Sequence, residues 1–362
     1  MAMAVPTSLS TIPLPPLQIL DTSVTKITKP KEAPTKPTSF SNHRPSPPLE
    51  RAPPTNFAQP FTQVRTHLLP PIWILSCRRH RIPLLIQEFF SGKTDVILAN
   101  RPFQIFSKHI GNNFTTVGNV PYGEHWRRLR KIITSEIFSP LQISRFTDVR
   151  KREVKELIGK LYQKSRQSSS ADMAKVELRP LFDPEFYLDV TIKGFIVNTL
   201  IAGHNTTSNT IEWVMSLLLN YPEELSKARK EISTHVRDDR LIEESDLSKL
   251  QYLNNMIFET LRLYPAAPLL VPHMSSQDCE IAGFKIPQGT MLLGNAWAIH
   301  RDPNLWEDPT NFKPERFQGA DVNACYNYRY IPFGVGRRAC PGEALASRVI
   351  RLVVASLIQC FE

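Results

Sequence analysis

From about Ile86 onward apolar and polar positions alternate with a helical period; before it they show no sustained period of either kind. The spacing predicts a helix over Gly123 to Ser135, with Trp126 and Arg130 on one face, and a charged amphipathic helix over Phe146 to Ser165. A long helical pattern runs from about Pro184 to Asn220 and is ended by Tyr221-Pro222. At ~1.5 Å per residue it would reach roughly 50 Å, enough to cross a domain of this size. Further helices are predicted over Glu223 to His235, Asp246 to Tyr264 and Glu343 to Phe361. The last of these sets Leu345, Val349, Leu352, Val353 and Leu357 on one stripe. Short β-prone pieces lie around Leu269–His273, Cys279–Phe284 and Thr290–Ala296, bounded by Gly and Pro. The fold class is therefore mainly α with a small β-sheet, and no internal repeat is visible.

Composition divides the 362 residues at the same place. Residues 1–85 are rich in Pro, Ser, Thr and Lys, which predicts a disordered or loosely extended segment ahead of a globular domain over 86–362. This leading segment carries seven of the ten net positive charges. The rest is nearly balanced, so the basic isoelectric point is no argument for nucleic acid as a partner. The first twenty residues contain Ser and Thr and no acid, a weak likeness to a plastid transit peptide, and they lack the basic start of a secretory signal. Leu68 to Ile86 is apolar in patches, but Cys77-Arg78-Arg79-His80-Arg81 and three prolines interrupt it, so no transmembrane anchor is expected here. The five cysteines, Cys77, Cys279, Cys325, Cys340 and Cys360, follow no disulfide framework and no zinc spacing, which predicts reduced thiols.

One of these cysteines has unusual surroundings. An isolated cysteine is most often a small buried hydrophobe. Cys340 instead closes the run Phe333-Gly334-Val335-Gly336-Arg337-Arg338-Ala339-Cys340-Pro341-Gly342, just before the last predicted helix. A helix N-terminus lowers a thiol pKa, Pro341 suits a first helical position, and three glycines let the backbone approach something flat and large. Phe333, Gly336, Arg338, Cys340 and Gly342 resemble, in order and spacing, the haem-binding loop of the cytochrome P450 family. The resemblance implies haem b (iron protoporphyrin IX) held by the Cys340 thiolate as axial iron ligand, with sulfur donation favouring O–O cleavage.

Other segments carry the same resemblance. Glu259 and Arg262 taken alone are an ordinary helical pair. With Pro314-Glu315-Arg316-Phe317 they resemble the family's Glu-x-x-Arg and Pro-Glu-Arg-Phe signatures, which implies Glu259 gripped by Arg262 and Arg316 as a structural lock behind the loop. Trp126-Arg127-Arg128-Leu129-Arg130 resembles the family's Trp-x-x-x-Arg helix, making Trp126, Arg130, Arg338 and His273 candidate contacts for the haem propionates; Arg127, Arg128 and Lys131 read as a solvated face. In the long helix Ala202-Gly203-His204-Asn205-Thr206-Thr207 resembles the oxygen-activating motif. Gly and consecutive Thr are poor inside a helix, which suggests stability exchanged for function; Ser/Thr bonding back to the helix's own carbonyls is the alternative. By resemblance Gly203 leaves room for dioxygen and Thr206 helps deliver protons, while Asn205 stands where the family carries an acid and cannot titrate. His204 precedes it but projects about 100° around the helix.

The style is that of plant members, similar to the flavonoid- and isoflavonoid-hydroxylating branch. That implies insertion of one oxygen atom from O2 into a small apolar plant metabolite. Electrons would come from NADPH through NADPH–cytochrome P450 reductase, docked on the basic side near Arg337 and Arg338. It further implies a monomer at the cytosolic face of the endoplasmic reticulum membrane. Against the family pattern the fold reads as incomplete: the N-terminal anchor and first sheet, the helices roofing the substrate pocket at Leu181-Phe182-Asp183-Pro184, and the last hairpin beyond Glu362 are missing. Two alternatives follow from these departures: a haem-binding remnant without turnover, and a non-oxidative haem-thiolate enzyme that rearranges a peroxide.

Overall fold

The structure, a computed structural model, describes residues 61–64, 72–75, 82–109, 111, 113–167, 190–237, 239–319 and 328–361. In chain order these hold β1 (Phe61–Val64), β2 (Ile72–Leu75), α1 (Ile82–Phe90), α2 (Gly92–Ile97), α3 (Ile105–His109), α4 (Glu124–Ile132), α5 (Pro140–Arg145), α6 (Thr147–Gln167) and α7 (Val190–Asn220). Then come α8 (Pro222–His235), α9 (Gln251–Leu263), β3 (His273–Met274), β4 (Cys279–Ile281), β5 (Phe284–Ile286), β6 (Met291–Gly294), α10 (Ala296–Ile299) and α11 (Glu343–Cys360). The architecture is mainly helical with small sheets.

The helices follow the hydrophobic pattern closely. α4 is shorter than its pattern because residues Ile133–Ile137 widen into a π-helical turn, where Thr134 and Ser135 hydroxyls bond back to the carbonyls of Arg130 and Lys131. α7 spans 31 residues, so it measures about 46 Å. The part of its pattern before Val190 lies outside the described residues. Pro222 supplies the first residue of α8, with Glu223 and Glu224 in its first turn. α9 has no side-chain cap of its own; Glu231 of α8 accepts the free N–H groups of Tyr252 and Leu253 at 2.7 and 3.0 Å instead.

The sheets differ more from expectation. β1 and β2 fall inside the leading segment expected to lack structure, and α1, a helix the pattern did not predict, starts at Ile82, ahead of the expected boundary at 86. Each strand has only four residues, too few to show a period, and what holds them is remote: β2 pairs in parallel with β6, 219 positions onward (Ile72 opposite Met291), and antiparallel with β1. β3 pairs antiparallel with β6, completing the order β1-β2-β6-β3. β4 and β5 form a separate hairpin. In the stretch Leu269–His273 only His273 joins a strand.

Two apolar cores result. The larger gathers α6, α7, α8 and α9 around α11. Its stripe is wider than the pattern implied, with Leu352 through Ile358 all buried. The smaller joins α1 and α2 to β4, β5, β6 and α10. The loop leading to Cys340 lies on the seam: Tyr330 and Phe333 pack on the first core, Ile331 and Val335 on the second. α7 is split lengthwise in a related way. Ile211, Val214, Leu217 and Leu218 are buried, whereas Leu200 and Ile201 are exposed. Leu218→Ala is accordingly expected to lower unfolding free energy by about 2–5 kcal/mol, and Ile201→Ala by no more than ~0.5 kcal/mol, checked by urea denaturation of both.

Candidate active site

The site is built outward from one buried carboxylate. Glu259 and Arg262 lie one turn apart on α9 and both are wholly buried. Arg262 Nε and Nη2 donate to the two carboxylate oxygens at 2.7 Å each. Arg316, in the 3-10 turn Pro314–Phe317, adds Nε at 2.9 Å, and the Lys313 N–H a further bond at 3.0 Å. The rest of the Arg262 fork goes to the carbonyls of His300, Pro309 and Asn311 at 2.5, 2.7 and 3.3 Å. Desolvating such ions costs several kcal/mol, so the arrangement is tolerable only because the carboxylate and fork are so fully bonded.

His300 links this lock to the cysteine loop. It follows α10 and is fully buried. Its Nδ1 meets the Arg262 carbonyl at 3.1 Å, and the Ile331 N–H donates to its Nε2 at 2.8 Å. Burial, then Arg262 and Arg301, hold its pKa down to about 3. Beyond Ile331 the loop closes on itself: Gly334 N–H to Ile331, Ala339 N–H to Gly336 and Cys340 N–H to Phe333, at 3.1, 3.1 and 3.0 Å. Gly336 has φ +75, and a Cβ there would lie 2.8 Å from Asp95 Oδ1 and 3.0 Å from the Phe90 carbonyl. This glycine therefore admits α1 and α2 against the loop. Asp95 accepts the Arg337 N–H at 3.2 Å and pairs with its guanidinium at 3.3 Å. Gly342 has ordinary room, with Cys340 Sγ 3.9 Å from its would-be Cβ.

Cys340 stands exposed at the end of this loop, although protein crowds most of its surroundings. That crowding pushes the thiol above its usual range, assisted by Glu343; the N–H groups of Gly342 and Glu343 and the Arg130 charge pull the other way. The helix N-terminus thus acts in the expected direction but is outweighed by desolvation. Pro341 also sits one residue before the cap, since α11 starts at Glu343 behind Gly342. Among the described residues Cys279 and Cys360 are likewise free thiols, while Cys77 and Cys325 lie outside them.

Arg130 acts directly on Cys340, and Arg338, Arg101 and His273 are linked to one another beside the same loop. Arg130 Nη1 donates to the Ala339 carbonyl at 2.7 Å. Arg338 reaches the carbonyls of Ala99, Val117 and Val120 at 2.7, 3.0 and 2.6 Å and lies over the buried Trp126 ring at 4.8 Å. Arg101, absent from the sequence-based candidates, donates to Val271 and Pro272, but its buried Nε has no partner. Burial and Arg338 draw Arg101 down to about 9; burial and Arg130 draw Arg338 to about 10. Among the described residues no carboxylate pairs with Arg101, Arg130 or Arg338. Buried and half-buried like charges with an unused donor and no counter-charge fit the two carboxylates of the iron porphyrin that the resemblance implies. His273 fits less simply. It is buried, its Nδ1 is 2.8 Å from the Leu98 carbonyl, and burial with Arg101 and Arg338 lowers its pKa well below 6.5. With Nδ1–H given to that carbonyl, neutral His273 offers only a lone pair at Nε2, so it serves a carboxylate only as imidazolium.

The distal candidates lie on α7. Gly203, Asn205 and Thr206 are exposed and His204 is half-buried. A Cβ at Gly203 would meet nothing within 4 Å. Thr206 Oγ1 donates to the Ala202 carbonyl at 2.6 Å, and Ser208 and Thr210 bond back similarly.

Two expectations follow. Glu259→Gln leaves the buried Arg262 charge short of its partner and is expected to cost about 3–5 kcal/mol, read by chemical denaturation. His300 is neutral in the folded chain down to about pH 3 and takes a proton near 6.5 when unfolded. Its contribution is complete above pH 6.5 and is lost as pH falls toward 3, with Arg262 and Arg301 facing it. Urea midpoints are expected to fall from pH 7 to pH 5, and less steeply in His300→Gln.

The profile of the family described as cytochrome P450 matches residues 185–362. Cytochrome P450 81Q32 of Catharanthus roseus is 40% identical, covering 77% of this chain and 75% of its own length. That alignment runs over 382 residues, whereas 77% of this chain is about 279, so on the order of a hundred matched positions have no counterpart here. An isoflavone 2'-hydroxylase of Medicago truncatula is 36% identical over 76% of this chain and 75% of its own length. A zebra fish cytochrome P450 solved with progesterone superimposes with a TM-score of 0.65 at 20% identity, over 83% of this chain and 89% of that one, which establishes the fold. With relatives this similar over three quarters of their length, the chain belongs to the cytochrome P450 family, among its plant members.

Proposed function

We propose that the chain is a haem-thiolate monooxygenase that inserts one oxygen atom from O2 into a small apolar plant metabolite of flavonoid or isoflavonoid type, with electrons from NADPH through a reductase. The observation that carries this reading is Cys340, presented at the end of a loop held from both sides, with Arg130 acting on it and Arg338 and the buried Arg101 beside the loop without counter-charge among the described residues. The substrate class rests on similarity to isoflavone 2'-hydroxylases at 36% and 37% identity.

In this reading the bound haem supplies reductive activation of O2, with electron donation from the thiolate. The chain's own residues do the rest. Cys340 binds the iron as thiolate, helped by the N–H groups of Gly342 and Glu343. Arg101, Arg130 and Arg338 hold the propionates, and Trp126 braces Arg338. Thr206 keeps a hydroxyl on the open side of α7, and turning it away from the Ala202 carbonyl frees its proton for delivery. Asn205 supplies no titrating group beside it, so proton delivery falls to water or His204. A reductase would dock on the exposed Arg127, Arg128 and Arg337. Among the described residues no helix is long and apolar enough to cross a membrane. Placement at the endoplasmic reticulum surface therefore rests on family likeness alone.

A second reading, haem binding without turnover, is favoured by one observation: Leu200 and Ile201 are exposed on α7 beside Gly203. Water entering there would weaken oxygen chemistry that needs a dry site. Both readings are tested together. The haem-loaded chain, reduced under CO, is expected to show a thiolate-type Soret band that Cys340→Ser abolishes. With reductase and NADPH it is expected to hydroxylate an isoflavonoid panel, Asn205→Asp raising product per NADPH several-fold. A thiolate band with no product in either form decides for the second reading.

A further inference from the structure

We propose that His300 is a positioning residue for the cysteine ligand: it transmits the order of the Glu259–Arg262–Arg316 lock to the loop that ends in Cys340. The inference deepens the haem-thiolate reading and rests on it. Arg262 and His300 exchange two hydrogen bonds, the guanidinium Nη1 donating to the His300 carbonyl at 2.5 Å and the imidazole Nδ1–H to the Arg262 carbonyl at 3.1 Å. The opposite ring nitrogen accepts the N–H of Ile331 at 2.8 Å. A carbonyl can only accept and an amide can only donate, so a single protonation state satisfies both: neutral, with the proton on Nδ1. The ring is wholly buried and lies against Tyr330 at 5.5 Å with 26° between planes, so it has no room to change partners.

The connection is short and rigid. From the Glu259 carboxylate it passes through Arg262 and the His300 ring to the backbone of Ile331. Two residues on, the Phe333 carbonyl receives the Cys340 N–H at 3.0 Å. The loop also straddles two apolar cores, Tyr330 and Phe333 packing on one and Ile331 and Val335 on the other. A hydrogen bond made by a planar ring at its first residue fixes where that loop begins. On this account the lock orders the sulfur ligand through His300, beyond stabilising the fold.

The test uses the haem-loaded full chain with three variants. His300→Asn is too short to reach Ile331 while keeping the Arg262 side. His300→Gln restores an acceptor and a donor at ring-like spacing. Thr260→Ala loosens α9 without touching the link, since its hydroxyl serves only the Met256 carbonyl. Conversion of the reduced CO complex from thiolate-type to thiol-type spectrum is timed at a temperature where helical circular dichroism is unchanged. Loss of one buried hydrogen bond predicts conversion about fivefold faster in His300→Asn, with His300→Gln near wild type and Thr260→Ala unchanged. Equal rates in His300→Asn and wild type, or equal acceleration in Thr260→Ala, would overturn the proposal. A wild type without a thiolate-type spectrum would instead refute the haem reading. Amide hydrogen exchange at Ile331, Gly334 and Cys340 in the haem-free chain then decides the positioning role, faster exchange in His300→Asn than in Thr260→Ala supporting it and equal exchange overturning it.

Discussion

A carboxylate with no access to water sets the terms for the rest of this structure. The Glu259 carboxylate is tolerated in the interior only because Arg262, Arg316 and a backbone N–H surround it. Those partners come from α9 and from the segment around residue 313, so satisfying one charge draws two distant stretches of chain together. The Arg262 fork extends the effect, since its other bonds fix the chain after α10 and the turn at Pro309 to Asn311. A hydrophobic pair of similar volume could stabilise as well, but it would not specify where three backbone segments lie relative to one another.

That specification matters because the reactive loop runs between two cores. A loop packed on one core inherits its rigidity, whereas a loop on a seam inherits the relative motion of both. Here it is bonded at its start by His300, near its end by Asp95 through the Arg337 N–H, and just before Cys340 by Arg130. These bonds place a thiol in the open beside Arg130, in a loop flanked by Arg338 and Arg101, cations that no described carboxylate pairs with. The two facts belong together. A thiol pushed up by crowding and guanidiniums pulled down by burial and by one another are each strained as a protein group alone. An iron porphyrin bearing two carboxylates, as proposed for this site, would relieve both at once.

Much of this was legible in the residues, and the unread part has a physical reason. The helices α6, α7, α9 and α11 were visible because each turns one apolar face to a common core, and a period over a dozen residues or more survives local irregularity. The Cys340 loop and the Glu259 lock were visible because several uncommon residues recur at fixed spacing. β1 and β2 were not, since four-residue strands show no period and their partner β6 lies more than two hundred residues away. Arg101, Asp95 and His300 were missed because their roles arise only in tertiary contact; nothing in Asn100-Arg101-Pro102 or Ile299-His300-Arg301 marks a buried donor or a bridge. The close approach of Asp95 and Phe90 to Gly336 was likewise invisible in the sequence, because it arises only when α1 and α2 pack on the loop.

The central claim is that this framework exists to hold one sulfur, that of Cys340, on a haem iron. Iron K-edge X-ray absorption of the haem-loaded chain tests it most directly. The account predicts a single sulfur scatterer in the first shell of the iron, lost in Cys340→Ser and retained when Cys279 and Cys360 are replaced by Ser. A first shell of nitrogen and oxygen alone, or a sulfur that persists in Cys340→Ser, would contradict it.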